Sequence, residues 1–187
     1  MGRSLSICVF AASSNHVAEE FLRDAEVLGE LLAKRGHAVI YGGGGVGLMG
    51  ALARAVDSAG GRLVGVIPEC LRTVEHAYEG ADELIVTPSI RERKQTMEQR
   101  SDAFIALPGG MGTLEEVAET LVQKQIGVHN KPLILVNTRG IYNPFLDLLD
   151  HLVRTGFVPR HVPSLLSVVS TPEDAVTRVE QETAAVA

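Results

Sequence analysis

A chain of 187 residues with 45% hydrophobic and 21% charged residues can bury one substantial core, is short for two, and is too apolar to be wholly disordered. Its 17 Lys and Arg against 23 Asp and Glu leave a net charge of −6, which excludes a general attraction to nucleic-acid phosphates. Two cysteines, Cys8 and Cys70, make no disulfide framework, and the six histidines show no metal-ligand spacing, so no metal site is expected.

In chain order, a short apolar run predicts a strand over residues 5–10. A helix follows over 17–35, with Phe21, Leu22, Ala25, Leu28 and Leu32 at helical spacing and Gly36 as its stop. Next come a strand over 38–41, a helix over 48–59 ended by Gly60 and Gly61, and a continuous apolar strand over 62–67 closed by Pro68. Residues 69–82 carry neither period and form the longest irregular stretch. The remaining pattern predicts strands over 83–87, 102–107, 132–137 and 167–169, and helices over 90–100, 113–126, 144–154 and 172–181. This alternation predicts an α/β fold spanning 1–187 as one domain. It is a doubly wound, Rossmann-like parallel sheet of about seven strands flanked by helices. No apolar run is long enough to cross a bilayer, and the first one lacks the flanks of a secretory signal. A soluble cytoplasmic protein with no membrane partner is expected. Gly2 and Ser6 fit the myristoylation pattern, although a strand beginning near Leu5 explains the same residues.

Open α/β sheets bind ligands beyond the C-terminal ends of their strands, and three loops of small residues stand there. They are Ala11-Ala12-Ser13-Ser14-Asn15, the run from Gly42 to Gly50, and Pro108-Gly109-Gly110-Met111-Gly112-Thr113. Glycine lets backbone N–H groups approach a phosphate, and the following helix N-terminus favours the anion. Tight strand-to-helix turns would use glycine as well. Two dense loops together point to a phosphorylated ligand, most simply a nucleotide. Gly45-x-Gly47-x-x-Gly50 is also the dinucleotide pattern, with Glu69 where a ribose-binding acid would stand. It makes an NAD-type site the alternative, although the loop follows the second strand and not the first.

Ser89 and Glu92 form a capping-box pattern for the helix over 90–100. Arg91, Arg93 and Lys94 then crowd its start and oppose the helix dipole. Either they are a solvated basic face or they meet a partner anion. Thr113 and Glu116 form a second capping box, which places Glu115 and Glu116 in the first turn of the helix over 113–126. A phosphate bound at that N-terminus would compete for the same N–H groups and free Glu116 to face the ligand's sugar.

Residues 108–116, PGGMGTLEE, resemble the PGGxGTxxE signature of the LONELY GUY (LOG) phosphoribohydrolases. Arg93-Lys94 with Met97, the strand Ser101-Asp102-Ala103-Phe104-Ile105-Ala106-Leu107, and Tyr41-Gly42-Gly43-Gly44 with Gly47-Leu48-Met49-Gly50 are similar to further family elements. The similarity runs from about Ser6 to past Phe157. It implies hydrolysis of the N-glycosidic bond of cytokinin riboside 5′-monophosphates, with AMP a further candidate, to free base and ribose 5-phosphate. It implies no cofactor and a homodimer, or a larger oligomer built from dimers. Some members were first named lysine decarboxylases, but no lysine here has the context of a pyridoxal phosphate site.

By that resemblance Arg93 and Glu116 are the catalytic pair. Lys94, Gly110, Met111, Gly112, Thr113, Leu114 and Glu115 match substrate-binding positions, and Glu75 aligns with a further substrate-contacting Glu. The loop from Gly109 to Thr113 would hold the 5′-phosphate, while Gly43, Gly44, Gly45, Gly47 and Met49 would shape the sugar and base side, with Ser13 and Ser14 nearby. Departure of adenine leaves an oxocarbenium-like ribose, which calls for a nearby carboxylate. Two departures bear on base preference: Val122, where plant-type members carry Thr, and Ala11-Ala12, where many members have Cys-Gly. A non-catalytic nucleotide- or cofactor-binding protein, such as a carrier, is the alternative of a different class. Arg93 with Glu116 discriminates the two, since a pure binder has no need of the pair.

Overall fold

The computed structural model describes residues 3–186; Gly2, and with it the myristoylation pattern, lies outside the described residues. Seven strands alternate with helices: β1 (Ser6–Phe10), α1 (Glu19–Lys34), β2 (Ala38–Tyr41), α2 (Gly47–Ser58), β3 (Leu63–Pro68), β4 (Glu83–Thr87), α3 (Ile90–Gln99), β5 (Ala103–Ala106), α4 (Met111–Gln125), β6 (Leu133–Val136), α5 (Asn143–Arg154), β7 (Ser167–Val169) and α6 (Pro172–Val186). They form one sheet in the order β4-β3-β2-β1-β5-β6-β7. Every neighbouring pair is parallel. The expected doubly wound sheet is what the chain adopts.

The continuous apolar strands are explained by burial on both faces. Along β1, Ile7 and Val9 enter one core while Cys8 and Phe10 enter the other. The first core takes Leu28 of α1, Leu52 of α2 and Val176 of α6. The second takes Met97 of α3, Val117 and Leu121 of α4, and Leu149 of α5. The chain changes direction across the sheet between β1 and β5, and a crevice opens at such a switch point. Among the described residues, no helix is long and apolar enough to cross a membrane.

Helix starts and stops follow local chemistry in most places. Gly36 takes φ 75° just past α1, the left-handed stop its position predicts. Ser89 Oγ accepts from the Glu92 N–H at 3.2 Å and donates to Glu92 Oε1 at 2.9 Å, so α3 begins on its capping box. Two starts differ from expectation by two residues: α1 begins at Glu19 and not at 17, and the start of α4 also changes its cap. Helix α4 begins at Met111, with Gly110 as N-cap and no side-chain cap. The second capping box is therefore not formed, and Glu115 and Glu116 lie beyond the first turn. Gly110 has no side chain with which to cap, and the backbone is already helical at Met111, which puts Thr113 inside the helix and not at its cap. Glu116 is thus freed for other work by the helix register, without any phosphate.

Candidate active site

The loops after β1 and β5 meet at the switch point, where the Ala12 N–H donates to Pro108 O at 3.3 Å. A cleft of about 220 Å³ lies between them, lined by Ala11, Ala12, Ser13, Ser14, Met49, Glu75, Arg93, Gly110, Met111, Gly112, Thr113 and Glu116. The N–H groups of Met111, Gly112 and Thr113 open α4 and have no partner within the helix. They form an anion-binding end beside the cleft. A side chain at Gly110 or Gly112 would meet no atom of the protein, so these two positions are bare toward open space.

Arg93 comes from the first turn of α3 and is only 9% exposed. Its Nε donates to Val66 O at 3.1 Å and its Nη2 to Gly42 O at 3.2 Å. The guanidinium is therefore braced by main-chain carbonyls from the C-terminal ends of β2 and β3. A Cβ at Gly42 would overlap Arg93 Nη2, so Gly42 makes room for this brace. Lys94 is held by Glu115 Oε1 at 2.8 Å and Glu119 Oε2 at 2.7 Å, and these hydrogen bonds push its pKa up. The basic start of α3 thus meets partners within the chain at two of its three cations, and Arg91 is exposed.

Glu116 is half-buried. Its pKa is pushed up to about 7, first by burial, against the pull of Arg93, with Glu115 and Glu75 adding repulsion. Burial also raises Glu75, opposed by Arg93, and Glu75 Oε2 is buried without a hydrogen-bond partner. The buried Tyr142 hydroxyl donates to Leu107 O at 2.6 Å, at the end of β5. Two carboxyls whose proton affinity burial raises, one fixed guanidinium and a helix N-terminus share one cleft. Such a set can bind a phosphomonoester and move a proton at a polar reacting centre.

The structure brings together Arg93, Glu116, Glu75, Ser13, Ser14, Met49, Gly110, Met111, Gly112 and Thr113. It does not bring Lys94 or Glu115, which pair with each other, or Leu114, which packs on the second core. Gly109 lies against Thr113, whose side chain a Cβ there would overlap. Gly43, Gly44, Gly45 and Gly47 do not line the cleft. The Gly45 N–H donates to Glu75 O and His76 O, the Gly47 N–H to Asn15 Oδ1, and the Gly50 N–H to Val46 O. The N–H groups of the three pattern glycines are taken, and the loop lies off the switch point. The dinucleotide alternative loses its physical basis.

Sequence reasoning missed Gly42, Asn15, Glu119 and Tyr142. Glu119 carries a readable signal, since it stands one helical turn after Glu115 on the same face. The other three act through tertiary contacts that leave no local trace.

The sequence model described as "Possible lysine decarboxylase" matches residues 49–179. A probable cytokinin riboside 5′-monophosphate phosphoribohydrolase, LOGL2 of Oryza sativa subsp. japonica, is 40% identical over 176 residues, covering 94% of this chain and 72% of the relative. LOG1 of Arabidopsis thaliana, a cytokinin riboside 5′-monophosphate phosphoribohydrolase, is 41% identical over 182 residues, covering 94% and 85%. The chain belongs to the LOG family. Among solved structures, a Moco carrier protein of Chlamydomonas reinhardtii superposes with a TM-score of 0.74 at 27% identity, covering 98% of this LOG-family chain and 99% of the carrier. The LOG family and this carrier thus share one sheet architecture. The resemblance carried by residues 93–97 and 108–116 is borne out at the level of family.

Proposed function

We propose that the chain, as a single domain in the cytoplasm, hydrolyses cytokinin riboside 5′-monophosphates, and AMP, to the free base and ribose 5-phosphate. The observation that carries this reading is Glu116, a carboxyl tuned to about 7 in the same cleft as the bare N-terminus of α4. The 5′-phosphate sits on the N–H groups of Met111, Gly112 and Thr113, where helix dipole and unpaired donors both favour it. That anchor directs the sugar toward Glu116 and Glu75. As the bond from C1′ to the base nitrogen breaks, positive charge grows on the ribose ring, and an ionised carboxylate beside it lowers the barrier. Glu116 accepts a proton from the attacking water as the water oxygen bonds to C1′; the base leaves with the electron pair of the broken bond and takes up that proton, which returns Glu116 to its carboxylate form. Arg93 keeps part of Glu116 ionised against burial, a role that its downward pull on that carboxyl supports.

The reading includes a homodimer. Helix α4 turns Val117 and Leu121 into the core, yet leaves Met111 80%, Val122 52% and Ile126 66% exposed. An apolar outer face of this kind suits a second copy. A Val122→Glu substitution is expected to shift the protein to monomer in sedimentation velocity; an unchanged assembly removes this face from consideration.

Purified protein is to be mixed with AMP and with isopentenyladenosine monophosphate, and free base and ribose 5-phosphate assayed by chromatography. Wild type is expected to release base, and Glu116→Gln to lose about 1,000-fold or more in kcat with KM within about threefold. Binding of both nucleotides without release would replace the reading with a carrier, the role that the C. reinhardtii neighbour is named for.

A further inference from the structure

Glu75 reaches the cleft from the irregular segment between β3 and β4, outside any regular helix or strand. A carboxylate on a loop ordinarily shares the loop's freedom, and a buried oxygen without a partner should drive it out to water. Glu75 Oε2 is in that situation. Something other than its own side-chain contacts holds it in place.

The main chain around it shows what does. The Gly45 N–H donates to both Glu75 O, at 3.1 Å, and His76 O, at 2.8 Å. The Tyr78 N–H donates back to Gly43 O at 2.9 Å, and Gly44 pairs with Ala77 as an isolated antiparallel bridge. Between the anchors, His76 takes φ 46°, a left-handed conformation that a non-glycine residue adopts at a cost. No side chain fits on the facing side at Gly45, where a Cβ would stand 2.6 Å from His76 O; one on Gly44 would stand 3.4 Å from Glu75 O. The segment and the glycine loop thus touch backbone to backbone on either side of one strained turn.

We propose that residues 43–45 and the left-handed turn at His76 form a main-chain clamp that aims the Glu75 carboxylate into the cleft, making Gly45 and His76 positioning residues. The inference rests on reading the cleft as the site of nucleotide hydrolysis. It gives the first glycine loop a task other than binding phosphate. The Gly45 N–H and the Gly43 carbonyl are spent on the protein's own main chain so that one carboxylate, distant in sequence, stays fixed against the substrate's sugar. The side chain of His76 is exposed, so its backbone angle is what matters, and a residue that tolerates a positive φ should serve as well.

A double-mutant cycle tests this. Gly45→Ala pushes on His76 O, and His76→Val forbids the turn through its β-branch. Each is expected to lower kcat/KM for AMP about 30- to 100-fold in the wild-type background, the scale of a misplaced catalytic group. In a Glu75→Gln background each is expected to cost less than about threefold, because the clamp then has nothing to aim. His76→Gly, which keeps the turn, is expected to stay within about threefold of wild type. Losses of equal size in both backgrounds, or a Glu75→Gln variant as active as wild type, would overturn the clamp.

A ligand-free readout separates this from the functional reading. With ¹³C-labelled glutamate, the Glu75 resonance is assigned by its disappearance in Glu75→Gln and titrated. The clamp predicts a raised midpoint in wild type that drops toward the ordinary carboxylate range in Gly45→Ala and His76→Val, as the side chain escapes to water. An unchanged midpoint in both overturns it, whether or not the protein hydrolyses a nucleotide. A protein that releases no base but shows the shift loses the functional reading and keeps the clamp.

Discussion

A methyl group added at Gly43, Gly45, Gly47 or Gly50 would run into main-chain or core atoms, whereas at Gly110 or Gly112 it would meet nothing. The two glycine-rich loops leave strands β2 and β5 at the same end of the same sheet, and in sequence they look like two versions of one device. In the first, glycine permits protein backbone to approach protein backbone, at Ala12–Ser14 and at 75–78. In the second, glycine leaves a helix N-terminus uncovered. Glycine density therefore marks a close approach without saying what approaches. The hydrogen bonds decide: the N–H groups of Gly45, Gly47 and Gly50 in the first loop are paired with carbonyls and Asn15, while those that open α4 are not paired within the helix.

The contrast can be broken by two substitutions that look equivalent in sequence. Gly112→Val is expected to raise KM for a nucleoside monophosphate about 30-fold or more by crowding the anion end, with a melting temperature within about 3 °C of wild type. An unchanged KM would mean the ligand does not sit there. Gly47→Ala is the opposite case. Gly47 holds φ 60°, and a Cβ would stand 2.6 Å from Ser13 C and 2.7 Å from Ser14 O. Backbone strain and overpacking together should cost about 3 kcal/mol, or roughly 6–12 °C in melting temperature. A Gly47→Ala protein that melts like wild type and loses only nucleotide affinity would reverse the assignment of the two loops.

The smallest effect sharpens the electrostatic side. Glu116 titrates at about 7 in the folded protein against an ordinary 4.5, so between these values the folded state holds a proton that the unfolded chain releases. Its contribution to stability is complete below the unfolded value and is lost as pH rises through the folded one. Wild type should therefore lose stability from about pH 4.5 to 7 relative to Glu116→Gln. Calorimetry is expected to show the variant melting higher than wild type at pH 8 and level with it at pH 4. A pH-independent difference would mean that Glu116 ionises normally.

The parts that the sequence by itself determined are those set by short-range physics. The seven apolar runs, the amphipathic period of α1, the stop at Gly36 and the capping box at Ser89 all act within a few residues. The doubly wound sheet follows from their alternation. The family follows from residues 93–97 and 108–116, which can be read without a fold. What only tertiary structure decided depends on segments far apart in the chain. Arg93 is braced by carbonyls 27 and 51 residues away, and Glu75 is held by a loop on the other side of β3. The start of α4 fell two residues before its expected capping box, with Gly110, which has no side chain to cap with, as its N-cap. The proton affinity of Glu116 follows from the depth at which α4 rests on the sheet. Local sequence sets torsional preference and hydrophobic period, whereas desolvation and the pairing of backbone donors depend on what the folded chain brings alongside.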